Sequence, residues 1–117
     1  MIAMTDSRRP PLGSLRDRIQ IKRRDISPED EGGAVATYFP LATVWGRVRE
    51  LSAGRTQVGD GRAVSISHSV VLRFRTDISP GDRLVYLGRN LDVVSADDLN
   101  GQRVYLSCAC TETNFTG

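Results

Sequence analysis

Val64-Ser65-Ile66-Ser67-His68-Ser69-Val70-Val71-Leu72-Arg73-Phe74-Arg75 carries the clearest pattern of period two in the chain. Val64, Ile66, His68, Val70, Leu72 and Phe74 share one register, and Ser65, Ser67, Ser69, Val71, Arg73 and Arg75 share the other. Successive side chains of a strand point to opposite faces, so one face is apolar except for His68 and the other is mostly hydroxyl and guanidinium. A helix would spread the same apolar residues around its axis. The stretch therefore predicts a long strand with one face on a core.

Working outward, Ser79-Pro80-Gly81-Asp82 supplies a turn after this strand, and Arg83 to Leu87 reads as the next one. Gly88-Arg89-Asn90 is a tight connection to a partner over Leu91–Ser95, and Asp97-Asp98-Leu99-Asn100-Gly101 turns again before a last strand over Gln102–Cys110. Upstream, Leu15, Ile19 and Ile21 alternate with Arg16, Arg18, Gln20 and Lys22, with Asp17 out of step. This predicts a strand at about 17–24 preceded by a single turn. Ser27 to Gly33 is polar and ends in two glycines, as a hairpin loop would. Residues 34–49 are rich in β-branched and aromatic types, and Pro40 marks a bulge, bend or edge there. Six strands without a convincing helix predict an all-β fold, a small antiparallel β-barrel, since closure removes exposed edges. The expected core comprises Ile19, Ile21, Val44, Val48, Val64, Ile66, Val70, Leu72, Phe74, Leu84, Leu91, Val93, Val104 and Leu106.

Two segments fall outside this pattern. Leu51-Ser52-Ala53-Gly54-Arg55-Thr56-Gln57-Val58-Gly59-Asp60-Gly61 has three glycines, two large apolar residues and no helical period. It reads as a long inter-strand loop, a candidate channel or partner contact. Residues 1–14 contain Arg8-Arg9-Pro10-Pro11 and little to bury, and read as a flexible basic arm. The expected organisation is an arm at 1–14, a barrel domain at 15–111 and a tail at 112–117.

Charge is uneven. Residues 1–24 carry seven basic groups against Asp6 and Asp17, whereas the rest has nine basic and twelve acidic groups. A basic arm on a mildly acidic body fits an acidic partner surface or nucleic acid as well as it fits a solvated tail. With 39% hydrophobic and 26% charged residues, the composition is that of a globular domain rather than a disordered one. No apolar run approaches a membrane span, and residues 1–9 lack a signal-type apolar stretch, so the chain is expected to be cytoplasmic when made, with no membrane partner.

Catalytic, metal and cofactor motifs are not found. There is no phosphate-binding glycine loop, no G-x-S-x-G and no H-E-x-x-H. His68 sits in the apolar register, where a packed imidazole bonded to a neighbour is favoured over a general base. Asp97 and Asp98 read as turn formers. Cys108 and Cys110 point to one face at a spacing that rarely closes a disulfide, and read as small buried thiols. An OB- or SH3-like module binding nucleic acid or another protein is the alternative class; Arg47, Arg49, Arg73 and Arg75 would form its basic stripe if their strands pair, although the aromatics are scattered.

In order along the chain, Leu15-Arg16-Asp17-Arg18-Ile19-Gln20-Ile21, Asp30-Glu31-Gly32-Gly33 with Thr37-Tyr38, Val44-Trp45-Gly46-Arg47-Val48, Ser67-His68-Ser69-Val70-Val71-Leu72-Arg73-Phe74-Arg75, Ile78-Ser79-Pro80-Gly81-Asp82-Arg83-Leu84 and Gly88-Arg89-Asn90-Leu91-Asp92-Val93 resemble the successive motifs of the phage head–tail joining family, the head-closure, stopper or adaptor connectors. The resemblance runs from residue 15 to about 108 and lies in order and spacing, since each piece alone is ordinary strand-and-turn chemistry. Ser67 stands where the family has threonine, and Leu91 where it has an aromatic. The resemblance implies a non-enzymatic structural subunit without cofactors, from a tailed phage, prophage or gene transfer agent. It also implies a homo-oligomeric ring between a portal or adaptor protein and a tail terminator or tail protein, in the finished particle. The loop at 51–61 would then face the axial channel and help retain packaged DNA without sequence specificity, while Arg8, Arg9 and Arg16 would be contacts of the arm.

Overall fold

The computed structural model describes residues 12–28, 34–59 and 62–113, with the backbone alone described at 12, 27–28, 34–35, 52–59 and 62–64. After a single 3-10 turn at Leu12–Ser14 come six strands: β1 (Asp17–Pro28), β2 (Ala34–Gly59), β3 (Arg62–Arg73), β4 (Arg83–Tyr86), β5 (Arg89–Asp98) and β6 (Tyr105–Thr113). All pairings are antiparallel, and the order β1-β2-β3-β6-β5-β4 closes on itself through β4 and β1. The all-β barrel expected from the sequence is the fold. Closure is narrow, for β1 and β4 pair only over Gln20–Lys22 and Arg83–Val85.

Inside the ring, Ile19, Ile21, Val70, Leu72, Leu84, Leu91, Cys108 and Cys110 are fully enclosed, with Ile78, Val93 and Leu106 almost so. Ile66 is buried as expected, while Val44, Val48 and Phe74 are half-buried against the core. Val104 is only half-buried and precedes β6; its carbonyl accepts the Phe74 N–H, so it ends the sheet rather than filling it. The side chain of Val64 lies outside the described set. Leu15, Ile78 and Tyr105, not among the expected core, are buried.

Local chemistry explains the corners. Leu87 (φ 50°) and Gly88 (φ 76°) form a two-residue loop between the paired Tyr86 and Arg89, so the tight connection falls one residue earlier than the sequence implied. Positive φ at both central positions is the twist a two-residue hairpin favours. Pro40 pairs with Lys22 and Ala42 with Ile21, leaving Leu41 as the extra residue of a bulge next to the proline. Gly46 pairs with Asp17 on one side and Leu72 on the other, and a Cβ there would stand 2.5 Å from Ile19 Cδ1 and 2.9 Å from the Val71 carbonyl oxygen.

The largest departure from expectation concerns β2. The stretch 51–59 is not an irregular loop: strand continues through Gly59 and pairs Arg55–Gly59 with Ile66–Arg62, and residues 60–61 lie outside the described set. Between Glu50↔His68 and Arg55↔Ile66, four residues (51–54) face one, Ser67. Gly54 and the small Ser52 and Ala53 make such a wide bulge feasible, and they are also what masks the strand pattern in the sequence. Because β2 pairs with β1 through its first half and with β3 through its second, two ribbons leave the barrel at the two ends of β2. The described molecule is correspondingly elongated, 60 × 29 × 25 Å.

Candidate interface surfaces

Polar groups that sequence chemistry nominates for catalysis are engaged in holding the barrel. His68 is enclosed, and its Nδ1 lies 2.8 Å from Ser67 Oγ. That hydroxyl already accepts the Glu112 N–H at 2.8 Å, which leaves its own proton for the imidazole. Nε2 faces the Glu112 carboxylate at 4.0 Å, and Glu112 is clamped by both arms of the Arg89 guanidinium at 2.6 and 2.8 Å. The Arg89 hydrogen bonds hold the Glu112 carboxyl below the usual range. His68 thus joins β3 to β6 as a packed histidine.

Asp97 and Asp98 close β5 rather than forming a free turn, and Asp98 accepts the Arg103 N–H at 2.9 Å. Burial pushes the Cys108 thiol up to about 12 and the Cys110 thiol further, so both stay protonated and apolar in character. No group of three or more potential metal ligands occurs among the described residues.

Two carboxylates that the sequence analysis passed over organise the barrel ends. Asp17, out of step with its neighbours, accepts the Val48 N–H at 2.8 Å through Oδ2, just where β1 has run out as a partner for β2. Asp82, read only as a turn residue, is buried and accepts the N–H groups of Ser79 and Arg24. An aspartate before a run of alternating residues, or after Pro-Gly, was the available signal for both.

Outside the barrel the register assembles one basic face. Arg47 pairs with Val71 and Arg49 with Ser69, so the strands of the suspected stripe do adjoin. Arg18 lies opposite Trp45 with its guanidinium 5.1 Å from the indole centroid. Arg73 follows beside Trp45, whereas Arg75 is held by Asp77 at 2.8 Å and belongs to a surface ion pair. The outward register of β1, β2 and β3 across the barrel, from Arg18 to Lys22, Thr43 to Arg49 and Ser67 to Arg73, contains no acidic residue. Trp45 is 53% exposed and forms one wall of a cleft of about 520 Å³ whose floor is Leu15, Val44, Leu72 and Phe74, and which Arg73 and the Asp77-paired Arg75 also line. Trp45 and the 52%-exposed Phe39 stand on the surface, while Tyr38, Phe74 and Tyr86 are half-buried and Tyr105 is buried. Along β2, Trp45 alternates with the half-buried Val44, which turns it outward.

Of the expected contact residues, Arg16 is exposed and its Nε donates to the Gly13 carbonyl at 3.1 Å, while Arg8 and Arg9 lie outside the described residues. Residues 12–14 of the expected arm form the 3-10 turn, which Leu15 anchors by inserting into the barrel mouth. In the segment 51–61, the backbone of Leu51–Gly59 is placed in the β2–β3 ribbon, separate from the basic face; Asp60 and Gly61 lie outside the described residues.

The sequence pattern of the phage head completion protein family matches residues 10–113, the whole of the barrel. The chain belongs to that family. Phage head completion proteins are structural proteins of the particle, which agrees with a barrel whose buried polar groups are spent on its own architecture. Protein SF1141 from Shigella flexneri 2a has a similar solved structure, with TM-score 0.63 at 23% identity over 90% of this chain and 98% of that one. A chain in the virion of a native gene transfer agent particle is similar with TM-score 0.65 at 19% identity, over the same shares of the two chains. At these identities the likeness is one of fold. No curated protein matches the chain.

Proposed function

We propose that this head completion protein is a head-closure subunit, forming a ring between the portal or adaptor and the tail and helping to retain packaged DNA. The observation that carries the proposal is the family match across the whole barrel. The architecture supports it: a subunit destined for a ring needs surfaces beyond its own core, and here two ribbons extend past the closed sheet and a row of arginines faces outward from it. The β2–β3 ribbon, whose sequence includes Arg55 and Arg62, is the element assigned to the channel or to a neighbouring ring. The likeness to a chain of a gene transfer agent virion favours either that kind of particle or a phage. The subunit would be made in the cytoplasm and end in the particle at the head–tail joint.

Deleting the gene tests this. Heads that fill with DNA but lose it to nuclease and accept no tails are the expected result. Normal numbers of tailed, DNA-filled particles would remove the proposal.

The face of Arg18, Trp45, Arg47, Arg49 and Arg73 favours one other reading, a nucleic-acid module. Such a module binds oligonucleotides as an isolated subunit, with affinity that falls steeply with salt.

A further inference from the structure

Among the described residues, two surfaces have no counterpart inside one subunit, and they lie toward opposite ends of β1. The first is the outer end of the β1–β2 ribbon, past the last β1–β4 pair at Lys22↔Arg83. Ile26 is 55% exposed there; of the basic residues past that pair, Arg23 turns back to the Asp77 carbonyl at 2.7 Å and Arg24 is exposed, while residues 25–37 of the sequence carry Asp25, Glu29, Asp30 and Glu31 and no lysine or arginine. The second is the Trp45 cleft, with its apolar floor, Arg73 on its wall, and Arg18 and Arg47 beside Trp45.

We propose that the outer end of the β1–β2 ribbon of one subunit docks in the Trp45 cleft of the next copy, with Ile26 as the apolar anchor and the acidic charge of this stretch of sequence matched to the arginines. The contact rests on the ring-forming reading above and specifies which surfaces make the ring. Charge complementarity selects the occupant. The chain carries its own acidic segment next to an exposed aliphatic residue, and the cleft combines an apolar floor with a basic surround. Nucleic acid matches the arginines and could stack a base on Trp45 or Phe74, but it has no aliphatic group to set against Leu15, Val44 and Leu72 as Ile26 does. Because the two patches differ, the contact is head-to-tail, and a head-to-tail contact closes into a ring when the rotation between copies divides a full turn. Arginines at the edge of such a contact orient the approach and make it sensitive to salt, while the desolvated apolar anchor holds it.

The test uses particles built with the full chain carrying Ile26→Cys and Trp45→Cys. Both positions are exposed, and the native thiols are enclosed and do not compete. Mild oxidation followed by non-reducing electrophoresis is expected to give a ladder of dimers, trimers and higher species, and each single variant to stay monomeric. A dimer from either single variant would mean a two-fold contact and overturn the proposal. Particles that contain the chain but give no ladder would overturn the contact and leave the head-closure role standing; particles that lack the chain would overturn both. The unmodified protein supplies a second readout, since Trp45 is its one tryptophan. Its emission should shift to the blue on assembly, and Ile26→Asp should abolish both the shift and assembly. A blue shift with short duplex DNA that Ile26→Asp leaves intact, without a ladder, would assign the face to nucleic acid instead.

Discussion

Asp82 is bonded to Arg24 across most of the barrel's sequence: its Oδ1 accepts the Arg24 backbone N–H at 3.1 Å, while Oδ2 accepts the Ser79 N–H at 2.9 Å. One buried carboxylate thereby joins β1, at the point where its pairing with β4 ends, to the turn that leads into β4. The Asp82 backbone strengthens the junction, since its carbonyl accepts the Val93 N–H at 2.8 Å. Replacing Asp82 by Ala leaves two N–H groups without their acceptor, and such losses cost about 1–3 kcal/mol each when the donor is buried. Asp82→Ala is expected to lower stability by about 2–4 kcal/mol in urea titration, and Asp82→Asn, which keeps one acceptor, by less. An Ala variant with an unchanged midpoint would mean that β1 and the turn are held by other contacts.

Gly46 gives a complementary expectation on the opposite side of β1. Its would-be Cβ meets the Val71 carbonyl, a backbone atom that cannot swing aside, as well as the tip of Ile19. Overpacking of this kind costs about 1–3 kcal/mol. Gly46→Ala should therefore destabilise the barrel by that amount, whereas Thr43→Ala, on an exposed position of the same strand, should change little.

The thiols set a pH dependence on the alkaline side. Unfolded, Cys108 and Cys110 ionise near 9.0; folded, Cys108 is pushed up to about 12 and Cys110 higher, chiefly by burial. Above pH 9 the unfolded chain releases thiol protons that the folded one keeps, so unfolding becomes easier as pH rises through that window, by up to about 1.4 kcal/mol per pH unit for each thiol. Below pH 9 the two thiols contribute no slope. The difference in stability between the native chain and Cys108→Ala/Cys110→Ala should be flat up to pH 8 and shrink between pH 9 and 10.5. A thiol reagent at pH 8 should label neither cysteine until denaturant is added.

The start of the chain separates passive from structural residues. Leu15 is buried at the barrel mouth and lines the Trp45 cleft, and residues 12–14 lead into it as a 3-10 turn. Removing residues 1–11 should leave the melting temperature within about 2 °C of the full chain but weaken assembly, if the basic arm contacts a neighbouring ring. Removing residues 1–15 should also lower the melting temperature, since it deletes a buried leucine worth about 2 kcal/mol. Equal assembly after the shorter trim would make the arm a passive tail.

Much of this was legible in the sequence because strands with one buried face write themselves as alternation. Ile19 and Ile21, Ile66 to Leu72, and Leu91 with Val93 all lie where that rule puts them. The rule failed where the chain departs from a single face. Residues 51–59 bulge and then run in a two-stranded ribbon beyond the body of the barrel, so they carry no inward apolar register to detect. The Trp45 cleft depends on β1, β2 and β3 meeting at one end, and the polar duties of Asp17 and Asp82 depend on where neighbouring strands stop. Both are matters of register between distant segments, which no local pattern encodes.

The β2–β3 ribbon is where fold and proposed role come apart most cleanly under experiment. Only His68–Arg73 of β3 pairs with β6, so the part of β3 before His68 has β2 as its sole strand partner. Replacing residues 52–65 by a short glycine-containing turn keeps Ile66, the Ser67–His68 contact and the Glu50↔His68 pair. Loop closure depends only weakly on length, so the shortened barrel should stay within about 1 kcal/mol of the native one. Its far-ultraviolet spectrum should still be that of a sheet. Particles built with it should nevertheless fail, losing DNA to nuclease after packaging or accepting no tails, because the element that reaches the channel or the next ring is gone. If such particles hold their genome and deliver it normally, the ribbon has no part in closure, and the role must rest on the β1–β2 ribbon and the basic face.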